Sequence, residues 1–282
     1  MTRAPVVGAW LAAAVLPSAC ALFGAVPVPC AGTPDCPAPS TCDPATRTCT
    51  AAPDAGPDGG GALCAREPRK SARACDDFER ADGAVVGDAV RGGPWACSPD
   101  AVTTLVDGRL RIALPSGTGY GECVLGDVVA RDVDASVRVF VDVPSNVSGG
   151  QLMVRHVAGQ REYNVSAHVG LPSSANTAGS ALGAGRGTQL GTLDPPAGDA
   201  WRVRLRVTGA SPTRVRAKLW DASVAEPPAW AVDVNDATPV LQGAGDIALG
   251  AFDGDANADF AWRFDEVVVY DAAAIDDTAL LP

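Results

Sequence analysis

The sequence predicts an all-β protein, an antiparallel β-sandwich, from three observations. Apolar residues recur at every second position in stretch after stretch: Val133, Ala135, Val137, Val139, Val141 and Val143 share one face, with Asp134, Ser136, Arg138 and Asp142 on the other. Such alternation marks strands with one buried and one solvated face. Breaks rich in Gly, Pro and Asp, such as Gly209-Ala-Ser-Pro212, separate the stretches. No long stretch carries the 3.6-residue period of an amphipathic helix. Strands without helices close into a sandwich or a barrel.

The elements follow in chain order. Met1-Thr-Arg3 is a short positive start, and an apolar run from Ala4 to Leu16 follows. The run is too short to span a bilayer and leads into Pro17-Ser-Ala-Cys20, the pattern of an export signal. Residues 1–19 are read as a signal peptide. Cys20 after Ser18-Ala19 resembles the lipobox of bacterial lipoproteins, although Pro17 stands where that box has an aliphatic residue. Lipidation at Cys20 and a membrane anchor through that lipid alone are therefore expected, and the alternative is ordinary secretory cleavage nearby. Either places the protein outside the cytoplasm.

All nine cysteines precede residue 124. With Cys20 lipidated, eight remain, an even number suited to an oxidising compartment. Cys30, Cys36, Cys42 and Cys49 lie in a segment with almost no large apolar residue, which needs staples in place of a core. Their spacing is wider than the close pairs usual at zinc sites, so disulfides are expected. Residues 20–49 form the anchor and cysteine-rich module, and 50–63 a Pro/Gly/Asp linker. Within 64–282 four cysteines remain: Cys64, Cys75, Cys97 and Cys123. Cys64 with Cys75 and Cys97 with Cys123 need the shortest loops, but three pairings are open.

In the globular region, strands are expected at 101–106, 109–114, 123–130, 151–157, 161–169, 188–193, 230–234 and 246–252, besides the stretch at 133–143. A hairpin over 201–219 puts Trp201, Val203, Leu205 and Val207, then Val215, Ala217 and Leu219, on one face. Its other face carries Arg202, Arg204, Arg206, Arg214, Arg216 and Lys218. Six cations facing one way repel unless acids of a neighbouring strand or an anionic ligand meet them. The last strand breaks its own alternation: Phe260, Trp262 and Phe264 have one parity, Val267 and Val269 the other. A bulge near Asp265-Glu266, or burial of both faces, explains the switch.

With the strands in place, the region from about Cys75 to Tyr270 is similar to the concanavalin A-like lectin and glucanase group, which includes laminin G-like modules and family 16 glycoside hydrolases. The residues that carry the resemblance are Cys75-Asp-Asp-Phe-Glu, Trp201-Arg-Val-Arg-Leu-Arg-Val, Val215-Arg-Ala-Lys-Leu-Trp220, Gly245-Asp-Ile-Ala-Leu-Gly250 and Phe264-Asp-Glu-Val-Val-Val-Tyr270. The resemblance implies a jelly roll of two curved antiparallel sheets, with sugars bound on the concave side in relatives. It implies a scaffold more than an activity. Family 16 hydrolases carry Glu-x-Asp-x-x-Glu on one strand, and this chain has no such motif. Glu122, Glu162 and Glu226 stand alone in the sequence, and an enzyme is not expected. His156 and His168 read as ordinary strand residues. The resemblance also implies a structural calcium, held by Asp265 of the last strand near Asp76 and Asp77 of the first. Hard oxygen ligands suit that ion.

A formal charge of −11 speaks against nucleic acid, which needs clustered cations. Trp220 and Trp230 flank Glu226-Pro-Pro and are the tryptophans expected to form an exposed platform, whereas Trp201 and Trp262 follow the apolar parity into the core. With Arg202, Arg204 and Arg206 they are the candidate ligand-binding residues. The expectation is a surface lipoprotein carrying a non-catalytic binding module for carbohydrate or surface glycan. A divergent carbohydrate-active enzyme and a structural envelope protein are the alternatives.

Overall fold

The computed structural model describes residues 41–43, 48–50, 62–65, 72–143, 148–169, 172–178, 187–254 and 259–275. The signal segment, Cys20, Cys30, Cys36 and linker residues 51–61 lie outside the described residues. Two units are present, 1–56 and 57–282. The first contains a two-stranded antiparallel ribbon, β1 (Thr41–Asp43) and β2 (Thr48–Thr50), with Cys42 opposite Cys49 in register.

The second unit opens with a one-turn helix, α1 (Ala62–Ala65). Its strands are β3 (Ala74–Asp76), β4 (Trp95–Cys97), β5 (Val102–Val106), β6 (Arg109–Leu114), β7 (Tyr120–Ala130), β8 (Val133–Val143), β9 (Ser148–Val157) and β10 (Arg161–Val169). β11 (Ser173–Ala178), β12 (Thr188–Leu193), β13 (Ala200–Thr208), β14 (Thr213–Asp221), β15 (Val232–Asp236), β16 (Gly245–Asp253) and β17 (Phe260–Asp271) complete it. One sheet has the order β12-β11-β10-β9-β16-β7-β4, and the other β15-β14-β13-β8-β17-β6-β5, with β3 pairing β17. Consecutive hairpins (β9 to β12, β13 to β15, β5 with β6) are joined by pairs remote in sequence (β16 with β7 and β9, β17 with β6 and β8), as in a jelly roll, and the two sheets form a sandwich.

The alternation places the core. Val133, Ala135, Val137, Val139, Val203, Leu205 and Val207 of one sheet meet Leu125, Leu152, Val154, Val165, Ile247 and Leu249 of the other in one buried cluster. Each fully buried Val or Leu contributes roughly 1.5–3 kcal/mol. Trp201 and Trp262 lie in that cluster with ring centroids 5.8 Å apart. Gly149 and Gly150 of β9 make room for aromatics on both sides of the sheet. A Cβ at Gly150 would stand 2.8 Å from Trp262, and one at Gly149 2.3 Å from Phe252.

The switch of parity in β17 is a bulge. Its pairing with β8 shifts register between Asp265 and Val268, and Glu266 has φ of 50°. The inserted residue turns Val267 and Val269 to the side that Phe260, Trp262 and Phe264 occupy, and all five reach the core. Cys64 is bonded to Cys75, and Cys97 to Cys123, where β4 and β7 pair. Two strands of the second unit were not foreseen. β4 has three residues. β11 reads Ser-Ser-Ala-Asn-Thr-Ala, with no apolar alternation to reveal it.

Candidate functional site

The outward side chains of the seven-stranded sheet come from alternate positions of adjacent strands. They are Tyr120 and Glu122 on β7, Gln151 and Met153 on β9, Glu162, Asn164 and Ser166 on β10, and Ser174 and Asn176 on β11. Gly250 of β16 is in register with both Glu122 and Gln151. A Cβ there would lie 2.7 Å from Met153 and 3.3 Å from Gln151 Oε1, so glycine keeps the floor low.

Strict alternation along β9 would bury His156 in the core. It does not hold, because β9 carries an extra residue at Arg155. Between Asp246 and Ala248 the partner β16 advances two residues while β9 advances three, and the pairing with β10 slips in the same way. Arg155, with φ of 49°, turns inward and is fully buried. It donates to the carbonyls of Arg131, Gly209 and Leu241 and to Thr213 Oγ1. His156 is thereby re-aimed to the outer face, the usual work of a bulge beside a site.

There it lies between two carboxylates. Nδ1 is 3.0 Å from Glu162 Oε2, and Nε2 is 3.4 Å from Glu122 Oε2. His156 is 2% exposed, and Nε2 has no well-aligned hydrogen bond. Burial alone would push the imidazole pKa down. The hydrogen bonds and charges of Glu122 and Glu162 outweigh it and hold the pKa up at about 9, so at neutral pH the ring is a cation between two anions. Burial likewise acts to raise Glu122, but His156 and the Tyr120 hydroxyl, which donates to it at 2.6 Å, hold its pKa below the usual carboxylate range.

A chain of hydrogen bonds leads away from Glu162. Asn164 Nδ2 donates to Glu162 Oε1 (2.8 Å), Ser166 Oγ donates to Asn164 Oδ1 (3.1 Å), and Gln151 Nε2 donates to Ser166 Oγ (2.9 Å). Asn176 Nδ2 also donates to Asn164 Oδ1 at 3.1 Å. Together Tyr120, Glu122, Gln151, His156, Arg161 and Glu162 line a recess of about 250 Å³. A cavity of about 150 Å³ holds benzene, so this one has room for a six-membered ring with substituents. Tyr120 stands at its rim, 42% exposed.

The expected ligand residues lie elsewhere, on the outer face of the eight-stranded sheet, and they are not open. Arg204 is fully buried. Its Nε and Nη2 donate to Asp134 at 2.8 and 2.6 Å, and its Nη1 to Glu226 at 2.6 Å. Arg206 donates to Asp134 and to the carbonyls of Ala272 and Ile275. Arg202 pairs with Glu266. Lys218 donates to Glu226 at 2.8 Å, and the Trp230 ring covers Arg204, Arg216 and Lys218 at 4.9, 5.1 and 4.5 Å. The exposed tryptophan platform is therefore corrected: Trp220 is 6% exposed, and half-buried Trp230 lies on the cations. Acids from β8 and from the loop after β14 meet the cations, as one of the two expected resolutions required.

The three acids expected to hold calcium have other partners. Both oxygens of Asp76 receive Arg80, at 2.7 and 2.9 Å, and they also accept from Trp95 Nε1 and the Phe78 backbone. Asp77 caps Glu79 N. Asp265 accepts from Glu266 N and lies 4.0 Å from Arg109. Burial, then the charge of Glu266, raises the Asp265 pKa to about 7. Among the described residues no group of three or more His, Cys, Asp or Glu is placed to hold a metal.

Glu122 and Glu162 do not stand alone as their spacing suggested, since the sheet brings both to His156. The strand-order crossover joining β7 to β9 through β16 cannot be seen from local sequence.

No family model and no curated protein matches the chain. Solved structures do. A mutant GH43 protein from Bacillus licheniformis superposes with a TM-score of 0.50 at 13% identity, over 71% of this chain and 39% of that one. The carbohydrate-binding module CBM66 from Bacillus subtilis has a TM-score of 0.43 at 12% identity, covering 63% of this chain and 91% of the module. A Mycobacterium tuberculosis antigen described as a pseudo β-1,3-glucanase gives 0.48 at 13%, covering 71% and 99%. At these identities the likeness is one of fold, and the fold is an antiparallel jelly-roll β-sandwich.

Proposed function

We propose that the jelly-roll domain is a non-catalytic carbohydrate-binding module whose ligand lies in the recess around His156, on the outer face of the seven-stranded sheet. One observation carries this reading: a mutually hydrogen-bonded row of Glu, His, Asn, Ser and Gln side chains opens into a ring-sized recess with Tyr120 at its rim. Directed polar groups beside an aromatic edge suit a ring that has polar edges and apolar faces. The chain's export and its attachment through Cys20 belong to the same proposal and rest on the amino-terminal pattern.

The carboxylate pair at His156 favours a second reading, glycoside hydrolysis. Such chemistry needs one carboxyl group that still holds its proton. Glu122, with its pKa held low by His156 and Tyr120, has none to give at neutral pH. Binding is preferred because the hydrogen-bond row and the Tyr120 rim support it directly. Screening the full chain on a glycan array, followed by calorimetry on the hits, tests it. Glu162→Gln should weaken a hit by about tenfold, because it removes the charge that orders the row. An array without hits would sink the reading. Steady release of reducing ends from a bound glycan would replace it with the hydrolase.

A further inference from the structure

The outer face of the eight-stranded sheet continues beyond the cations that Trp230 covers. There Arg202 of β13, Arg138 of β8 and Asp265 of β17 stand side by side in register. Arg109 of β6 is next in that row, with its Nε 4.0 Å from Asp265 Oδ2. The neighbouring row holds Arg111, Arg263 and Phe140 in register. Its charges are balanced: Arg111 and Arg263 each reach Asp142 at 2.6 Å, and Arg263 lies 3.5 Å from Asp107. The first row is not balanced. Arg109, Arg138 and Arg202 meet only two acids, Asp265 and Glu266. Arg202 engages Glu266 closely, and Arg138 is left 3.6 Å from the same carboxylate.

Arg109 and Arg138 are the open members of the row. Their guanidinium carbons lie 4.2 and 4.8 Å from the centroid of one ring, Phe140. The ring attracts both cations and holds them against the sheet. Neither guanidinium donates a hydrogen bond to a described residue. Each Nε is buried without a partner, while the side chains are 33% and 31% exposed, so it is the Nη ends that water reaches. Two like charges on one ring repel. Burial and the charge of Glu266 hold the Asp265 pKa up at about 7, so at neutral pH that acid offsets them only in part. An oxyanion at the Nη ends would relieve the repulsion. It would also take up charge-assisted, forked hydrogen bonds that the chain leaves unmade.

We infer that Arg109 and Arg138, stacked on Phe140, form a second binding site, which takes the carboxylate or sulfate group of an acidic glycan. The site lies on the opposite sheet from the His156 recess and does not depend on what the recess binds. A thin polymer suits it better than a flat anionic bilayer. The chain carries a formal charge of −11, so a bilayer laid over this face would also meet the field of its many acids, whereas one glycan strand can reach two guanidinium groups locally.

The test measures binding of the full chain to uronate oligomers, sulfated oligomers of matched length and the methyl esters of the uronates, which are neutral. Vesicles of phosphatidylcholine with phosphatidylglycerol form a fourth arm. Wild type should bind at least one charged set tenfold or more tightly than the esters, and less tightly as salt is raised. Arg109→Gln and Arg138→Gln should each weaken that binding by about tenfold. Arg214→Gln, which removes the same charge from β14 of the same sheet, should leave it nearly unchanged. Melting curves show whether each variant folds, and either of the first two decides the matter if the other does not. Equal binding of charged and esterified oligomers would overturn the inference. So would equal losses in Arg109→Gln, Arg138→Gln and Arg214→Gln, which would reduce the site to net charge. Binding to the vesicles without binding to either charged set would replace it with a membrane contact, and binding to no probe would remove it while leaving the recess untouched.

Discussion

The two outer sheet faces treat polar side chains in opposite ways. On the eight-stranded sheet, cations from β13 and β14 are met by Asp134 and Glu226 and roofed by Trp230, so Arg204, Lys218 and both acids are almost wholly removed from water. On the seven-stranded sheet a smaller set, one imidazolium and two carboxylates, opens into a recess, and His156 Nε2 and Gln151 Oε1 lack hydrogen-bond partners among the described residues. Charge density is therefore a poor guide to a binding face. A buried pair must be satisfied completely or it destabilises the fold, so a dense charge array tends to be closed by the protein itself. Function is better sought where satisfaction is incomplete.

That contrast can be broken by substitution. The largest effect is expected at Asp134. Asp134→Asn leaves Arg204 and Arg206 buried with too little opposing charge and should cost about 3–5 kcal/mol in urea unfolding. A cost below about 1 kcal/mol would mean that the covered face is not held by its ion pairs. Next is the roof. Trp230→Ala removes apolar cover and three cation–π contacts and should cost about 2–4 kcal/mol, with glycan binding unchanged. Weakened binding would tie the two faces together.

On the open face the expected effects are smaller and depend on pH. The His156 pKa is raised in the folded chain, so its contribution is full below about 6.5 and is lost as pH climbs through about 9. Unfolding at pH 7 and pH 10 should differ by about 2 kcal/mol in wild type, and by clearly less in His156→Gln. Equal pH dependence in both would remove His156 from the clamp. The smallest stability effect is expected for Glu122→Gln. It keeps the shape and lies near water, and it should cost about 1 kcal/mol while weakening glycan binding more than Trp230→Ala does. The reverse order would place the ligand on the basic face.

Much of the sandwich was legible in the sequence. Strands with one apolar and one polar side declare themselves by alternation, and so β8, β13 and β14 were read with their faces. The bulge in β17 was legible for the same reason, because a switch of parity among five large apolar residues leaves a visible trace. The bulge in β9 left none, since Arg155 and His156 are both polar and either could face out. Trp220 was placed on the right side of its strand, but its cover comes from another part of the fold.

Local sequence suffices for the fold class, the faces of the long strands, the core tryptophans Trp201 and Trp262, and the crowding of cations on the 201–219 hairpin, because each of these is a matter of residues one or two positions apart. Only the packing of the sheets settles which of two resolutions those cations took and that Glu122 and Glu162 share His156. Those depend on strands that are neighbours in the sheet but remote in the chain, and on one inserted residue in β9 that turns an imidazole from the core to the surface.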